Sequence, residues 1–132
     1  MNYVNTVTGP VAASELGRTL MHEHFLFGFC GFQGDATLGG FKEEEYTRDC
    51  LKAVDDARAY GINNTIVDAT TNECGRNVRF LKKISDMTGM NIICSTGYYF
   101  QAESAYAYWN FRRGFANIEE EIYEMMVTEL TK

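Results

Sequence analysis

Apolar residues follow two spacings along the chain, one typical of amphipathic helices and one typical of buried strands. A three-to-four-residue spacing predicts a helix from about Lys42 to Tyr60, with its apolar face at Tyr46, Cys50, Val54 and Ala57. Gly61 then ends the helix, and the β-branched run Thr65 to Val67 follows as a short apolar strand. A helix therefore precedes a buried strand in this part of the chain.

The same order of elements repeats immediately. The helical spacing recurs at Val78, Leu81, Ile84 and Met87. Gly89 ends this second helix, and the strand "NIICST" begins at Asn91. A third helix is predicted near the C-terminus, with apolar positions Ile118, Ile122, Met125, Met126 and Leu130. The chain thus alternates strands with helices.

This alternation predicts an α/β fold with a parallel sheet. "LGRTLMHEH" supplies the first strand, so three successive strand-helix units start near Thr19, Asn64 and Asn91. The opening "NYVNTVTGPV" is interpreted as a short extended lead-in that turns at Gly9-Pro10. Because no glycine-rich phosphate turn follows a strand, the nucleotide-binding fold lacks its signature. The alternative is a (β/α)8 TIM barrel, which typically needs about 250 residues.

Composition and charge exclude several functional classes. The 132 residues are 45% apolar, enough for one domain with a core, and the net charge of −6 opposes binding to nucleic acid. Neither a membrane span nor a signal peptide is present, which predicts a cytoplasmic location. Four cysteines without a Cys-x-x-Cys pair argue against a zinc finger, and we interpret them as free, mostly packing side chains: Cys30, Cys50, Cys74 and Cys94.

Both histidines of the chain, His22 and His24, lie in the first predicted strand within "TLMHEHFLFG". Residues two apart on a strand share a face, so the two imidazoles should project side by side with Glu23 facing away. At the C-terminal end of a barrel strand such a pair can bind one divalent ion, and imidazole suits zinc. A structural role for the histidines is the alternative, because two ligands do not close a zinc site.

Other candidate residues follow the second and third strands. Asp68 ends the second strand, where polar residues of barrels are often functional, although an N-cap or turn role in "DATTNE" is an equal alternative. Arg76 is expected to be structural. Tyr98 and Tyr99 follow the third strand and suit the wall of an apolar pocket. Packing within the loop is the other interpretation of both tyrosines.

Taken in order, "TVTGPV", "LGRTLMHEH", "TIVDATTNECGRNVRFL" and "NIICSTGYYF" resemble the phosphotriesterase family of the amidohydrolase superfamily, including its phosphotriesterase-related and lactonase-like members. The resemblance covers nearly all of the chain. It implies a (β/α)8 TIM barrel, of which residues 1–132 would form a single partial domain with about the first three strand-helix units. Asn77 departs from the "GRD" often seen in the family, which affects only a loop contact.

The resemblance also implies a function for the protein and a role for several of its residues. The family hydrolyses ester, lactone or phosphotriester bonds through attack of metal-bound hydroxide at a two-metal site, with zinc as the expected metal and manganese or cobalt as alternatives. His22 and His24 match the pair that binds the more buried ion, Tyr98 and Tyr99 lie beside the substrate pocket, and Asp68 matches a recurrent acid near the metal. The remaining ligands and the catalytic acid-base belong to later strands, so no catalytic residue can be assigned in this chain.

Two interpretations of the chain as a protein follow. In the first it is the N-terminal portion of a binuclear metal hydrolase for small-molecule ester, lactone or organophosphate substrates, and alone it is inactive. In the second it is a non-catalytic truncated or split α/β module, which oligomerises through open strand edges or needs a second polypeptide to complete the site. A homo-oligomer or a completing polypeptide is therefore the expected protein partner, and neither nucleic acid nor membrane is expected.

Overall fold

A computed structural model describes residues 2–37, 40–99 and 104–131 of the chain. Its strands are β1 (Tyr3–Thr6), β2 (Gly9–Ala12), β3 (Thr19–Glu23), β4 (Thr65–Asp68) and β5 (Asn91–Cys94). Its helices are α1 (Glu43–Ala59), α2 (Val78–Thr88), α3 (Ser104–Arg112) and α4 (Ile118–Thr131). No helix in this part of the chain is long and apolar enough to cross a membrane.

The strands form a two-stranded sheet, β1-β2, and a three-stranded sheet. The three-stranded sheet is parallel, and its strands lie in chain order, β3-β4-β5. Thr65 in β4 pairs with Thr19 on one side and with Asn91 on the other, so the three strands start level with one another. The polar side chains after each strand are therefore brought to one edge of the sheet. This arrangement confirms the three predicted strand-helix units and their starting points.

Helices α1 and α2 pack on the sheet because each carries one apolar face. Asn77 caps α2 by accepting a hydrogen bond from the Phe80 N–H at 3.1 Å, and Gly89 ends the helix with a positive φ of 70°. The core between helices and sheet contains buried residues from both: Cys50, Val54, Ile66, Phe80, Leu81, Ile84, Met90 and Ile92. On α1 the predicted face is buried or half-buried, and on α2 Leu81 and Ile84 are buried as predicted. Val78 and Met87 of the predicted α2 face are exposed instead, and Phe80 is buried.

Two predictions about the ends of the chain need correction. The opening segment is a β-hairpin and not a simple lead-in, and its turn lies at residues 7–8, so Gly9 and Pro10 begin β2 instead of forming the turn. The Val7 N–H donates to the Ile92 carbonyl at 2.9 Å, which joins the hairpin to the parallel sheet. Helix α3 was not predicted at all, since its aromatic sequence has no clear helical spacing.

Candidate metal centre

The two histidines lie together at the C-terminal end of β3. His22 is in the strand, His24 directly follows it, and the ring centres are 5.2 Å apart in an edge-to-face arrangement. The register of this part of β3 is irregular, because β3 advances from Leu20 to Glu23 while β4 advances only from Ile66 to Asp68. The additional residue in β3 is a local bulge, which redirects the side chains that follow. Both histidines are exposed, as a ligand pair requires before metal enters.

The separation of the rings fits one shared divalent ion. Zn–N bonds of about 2.0–2.1 Å at the tetrahedral angle place two imidazole ring centres roughly 5.2 Å apart, which equals the observed 5.2 Å. Neutral imidazole is also a preferred zinc ligand. Within residues 2–37, 40–99 and 104–131, however, no group of three or more His, Cys, Asp or Glu side chains could hold an ion. The pair is therefore a fitting but incomplete set of ligands.

A hydrogen bond fixes His24 to the turn that follows β4. Its Nδ1 lies 2.9 Å from Oγ1 of Thr70, and the Thr70 hydroxyl donates to the Leu26 carbonyl at 3.1 Å. Thr70 is only 1% exposed, so these bonds compete little with water. The second ring nitrogen of His24, Nε2, remains on the opposite side of the imidazole from this contact.

Asp68 lies next to the pair and fixes the backbone that carries it. The side chain is 1% exposed, and its Oδ2 accepts from the Phe25 N–H while Oδ1 accepts from the Thr70 N–H, each at 2.9 Å. The bond to Thr70 is the predicted turn contact within "DATTNE". The bond to Phe25 crosses to the loop after β3. One carboxylate thus connects the residue after His24 to the residue that contacts His24.

The structure places the two predicted pocket tyrosines in different surroundings. Tyr99 is exposed, and its ring centre lies 6.3 Å from that of Phe27, which in turn lies 5.2 Å from His24. Tyr98 instead accepts a hydrogen bond from Nε1 of Trp109 at 2.8 Å and donates to Sδ of Met125 at 3.1 Å. Burial raises the pKa of the Tyr98 hydroxyl. Only Tyr99 is therefore connected to the histidine pair, through Phe27.

Two cavities adjoin these residues. One of about 410 Å³ lies between the loop after β3 and helix α1, with His24 and Phe27 in its wall. The other, of about 840 Å³, lies between that loop and helices α3 and α4 and includes Tyr98, Trp109 and Arg112. Of the two histidines, His24 borders the first cavity.

Glu73 is a buried acid that the sequence interpretation did not single out. It is 8% exposed, and its Oε1 accepts from the Tyr99 N–H, while its Oε2 has no hydrogen-bond partner among the described residues. Its own backbone carbonyl accepts from the Cys30 thiol at 3.1 Å. Glu73 therefore connects the loop after β4 to the loops after β3 and β5.

Arg76 has the structural role that was expected of it. Its Nη1 donates to the Ser95 carbonyl at 2.7 Å, and its Nη2 forms an ion pair with Glu129. The Arg76 side chain is only 8% exposed. It therefore holds helix α4 against the end of β5.

The cysteines are all free, as predicted. Burial, followed by the charges of Asp49 and Asp68, raises the pKa of the Cys50 thiol to about 11. Burial, followed by the charge of Asp68, raises the pKa of the Cys94 thiol to about 12, although Arg76 opposes the increase. Both thiols are therefore protonated at neutral pH in the metal-free chain.

Thr70 and Glu73 are the residues near the site that sequence reasoning missed. Both contacts join residues far apart in the chain, His24 to Thr70 and Tyr99 to Glu73. Their positions in the sequence could have identified them, because both residues follow β4 at the edge of the sheet where the histidines were predicted to lie.

Comparisons with known proteins point in one direction. The model of the phosphotriesterase family matches residues 2–132. An aryldialkylphosphatase from Saccharolobus solfataricus is 32% identical over 101 residues, which cover 76% of this chain and 31% of that protein.

Solved structures give the same result in three dimensions. The organophosphorus hydrolase from Deinococcus radiodurans superposes with a TM-score of 0.90 at 48% identity, covering 98% of this chain and 38% of that one. A mutant of the PTE-like lactonase from the same organism gives a TM-score of 0.88 at 48% identity, covering 96% and 39%. The chain therefore spans roughly a third of the length of its relatives. The fold is that of the first three strand-helix units of a (β/α)8 TIM barrel.

Proposed function

This chain belongs to the phosphotriesterase family, and we propose that it forms the N-terminal portion of a metal-dependent hydrolase of ester, lactone or phosphotriester bonds. The observation that carries the proposal is the 5.2 Å contact between His22 and His24 at the C-terminal end of β3. In (β/α)8 barrels this end of the strands holds the active site. The relatives named as an aryldialkylphosphatase, an organophosphorus hydrolase and a lactonase support this range of substrates.

His22 and His24 are proposed to hold one of two divalent ions, most simply zinc, with manganese or cobalt as substitutes. When bound, such ions lower the pKa of a water molecule and polarise the bond to be cleaved. The contribution of this chain is to hold the two imidazoles at a fixed separation. Asp68 and Thr70 fix the backbone and the ring beside them. The other ligands are proposed to come from later strands.

The apolar wall of the substrate pocket is proposed to include Phe27 and Tyr99. Both rings are exposed, and together they extend from His24 toward the loop after β5. Such a surface suits the apolar part of a small ester, lactone or organophosphate. Tyr98, which contacts Trp109 and Met125, would act on the pocket through the loop conformation and not by direct contact.

Completion of the site is proposed to require further strands, either from the same protein or from a second polypeptide or copy. In the described sheet, β3 and β5 are the outer strands, and β3 carries the histidines. A strand added beside β3 would pair with its free edge and bring new side chains to the ion. The chain of 132 residues alone is expected to be inactive. A cytoplasmic location remains a prediction.

The proposal can be tested with a chimera. Residues 1–132 would replace the matching 38% of the Deinococcus radiodurans organophosphorus hydrolase, and the purified chimera would be assayed with zinc on a lactone and on a phosphotriester. We expect hydrolysis of at least one substrate and two zinc ions per chain. A variant with both His22→Asn and His24→Asn should lose activity and at least one ion.

The control is the same chimera with Asp55→Asn, because Asp55 is an exposed residue in the C-terminal half of helix α1 and lines neither cavity. It should match the unsubstituted chimera in activity and zinc content. A folded chimera that holds no zinc, or that keeps its activity without both histidines, would contradict the proposal and favour the non-catalytic module.

A further inference from the structure

The contact between His24 and Thr70 is compatible with a proton on either ring nitrogen of His24. The ring geometry alone does not show which nitrogen carries it. A neutral imidazole carries its proton on one nitrogen and offers a lone pair on the other. His24 presents Nδ1 to the Thr70 hydroxyl at 2.9 Å. Only the form protonated on Nδ1 leaves Nε2 free to bind an ion, so the proton position decides whether His24 can act as a ligand through that atom.

The surroundings of Thr70 settle the choice. A hydroxyl has one proton to donate, and the Thr70 hydroxyl has two neighbours, the Leu26 carbonyl at 3.1 Å and Nδ1 of His24. The carbonyl can only accept, whereas Nδ1 can donate or accept. If Nδ1 carries the proton, both hydrogen bonds form, from ring to hydroxyl and from hydroxyl to carbonyl. If Nδ1 carries no proton, the Leu26 carbonyl and Nδ1 compete for the single hydroxyl proton of Thr70.

We propose that Thr70 is a positioning residue that holds His24 in the Nδ1–H form and so directs Nε2 to the metal. The identity of the ion rests on the proposed function, but the proton position does not. Burial strengthens the preference for the Nδ1–H form, because Thr70 is 1% exposed and its N–H donates to Asp68 at 2.9 Å. Asp68, Thr70 and His24 thus form one chain of hydrogen bonds that ends at the ligand.

The first test is nuclear magnetic resonance of the metal-free chain labelled with nitrogen-15. Long-range proton–nitrogen correlations report which ring nitrogen is protonated, at a pH where imidazole is neutral. We expect the Nδ1–H form of His24 to exceed the Nε2–H form by about five- to tenfold, the worth of one hydrogen bond. A predominance of the Nε2–H form in the unsubstituted chain would overturn the proposal. This measurement needs no variant and no metal.

The second test uses variants and zinc alone as the probe. Thr70→Val removes the hydroxyl at nearly constant volume, and loss of such a contact typically lowers metal affinity about 10–100-fold. It should also abolish the Nδ1–H preference. Thr70→Ser retains the hydroxyl and should restore both properties. Zinc affinity is measured by calorimetry, and circular dichroism verifies the fold of each variant.

Thr71 offers a matched control. Its hydroxyl is buried and has no hydrogen-bond partner among the described residues, so Thr71→Val is the same substitution one residue away. It should leave the proton position of His24 and the zinc affinity unchanged. Equal losses in the Thr70 and Thr71 variants would overturn the proposal in favour of a general packing effect. If Thr70→Val does not fold, the unsubstituted chain and Thr70→Ser still test the proposal, because His24 must be in the Nδ1–H form in both.

The outcome separates the two proposals. If the Nδ1–H form predominates but zinc does not bind to the chain or to the chimera, the proposed hydrolase fails and the role of Thr70 in fixing the ring stands. If the chimera is active but His24 is in the Nε2–H form, the role of Thr70 fails and the hydrolase stands.

Discussion

Asp68→Asn tests the hydrogen bonds that hold the histidine loop to the sheet. The carboxylate is 1% exposed and accepts two backbone N–H bonds, from Phe25 and Thr70, each at 2.9 Å. An asparagine keeps one acceptor oxygen but turns its NH₂ toward the other N–H. The change therefore loses one hydrogen bond to a charged group and leaves a buried donor unpaired. Together these cost about 2–4 kcal/mol of unfolding free energy.

The assay is urea unfolding followed by circular dichroism. With a slope of about 2 kcal/mol per molar urea, a loss of about 3 kcal/mol lowers the midpoint by about 1.5 M. Hydrogen exchange adds a local measure, because the amide of Phe25 or of Thr70 should lose protection. Asp49→Asn is the control, since Asp49 is exposed and pairs only weakly with Arg48 at 3.6 Å. It should change stability by less than about 0.5 kcal/mol.

A loss below about 1 kcal/mol in the Asp68→Asn protein, with both amides still protected, would refute this reasoning. It would mean that Asp68 does not hold the loop after β3 to the turn after β4. The fixed position of His24 would then need another explanation.

Three further predictions concern the same part of the fold. Gly75→Ala should lower the melting temperature more than Gly89→Ala: both have positive φ, but at Gly75 a Cβ would lie 2.7 Å from a ring carbon of Phe32, whereas nothing lies within 4 Å at Gly89. An alkylating reagent followed by mass spectrometry should modify Cys30, which is exposed, well before Cys94, whose pKa is raised to about 12 by burial; equal rates would contradict this. Because the folded state retains the Cys94 proton longer than the unfolded state, urea midpoints should fall as pH rises from about 9 toward 12, and Cys94→Ala should reduce that decline.

The sequence was sufficient for the elements whose apolar residues face the core. Helices α1 and α2 each show a spacing of three to four apolar residues and end at glycines, so their positions were predicted closely. Their buried residues include Cys50, Val54, Leu81 and Ile84, as the spacing required. The hairpin was missed because its two strands have only four residues each and contain few apolar residues among polar ones, glycine and proline, so neither strand shows a clear apolar alternation.

The candidate site was only partly predictable, for a different physical reason. His22 and His24 are close in sequence, and their contact follows from local geometry with a bulge added. The bonds that fix them join residues separated by more than 40 positions, as in His24 to Thr70 and Phe25 to Asp68. Which side chains meet across strands depends on register, and the shift in β3 could not be read from alternation alone. Thr70 therefore became apparent only from the structure.

The most direct test of the central claim is a calorimetric zinc titration of the chimera with the Deinococcus radiodurans hydrolase, compared with its His22→Asn, His24→Asn variant. We expect two zinc ions per unsubstituted chimera and the loss of at least one from the double variant while it remains folded. Equal zinc binding by both folded proteins, or no binding by either, would contradict the claim that these two histidines are a metal-ligand pair.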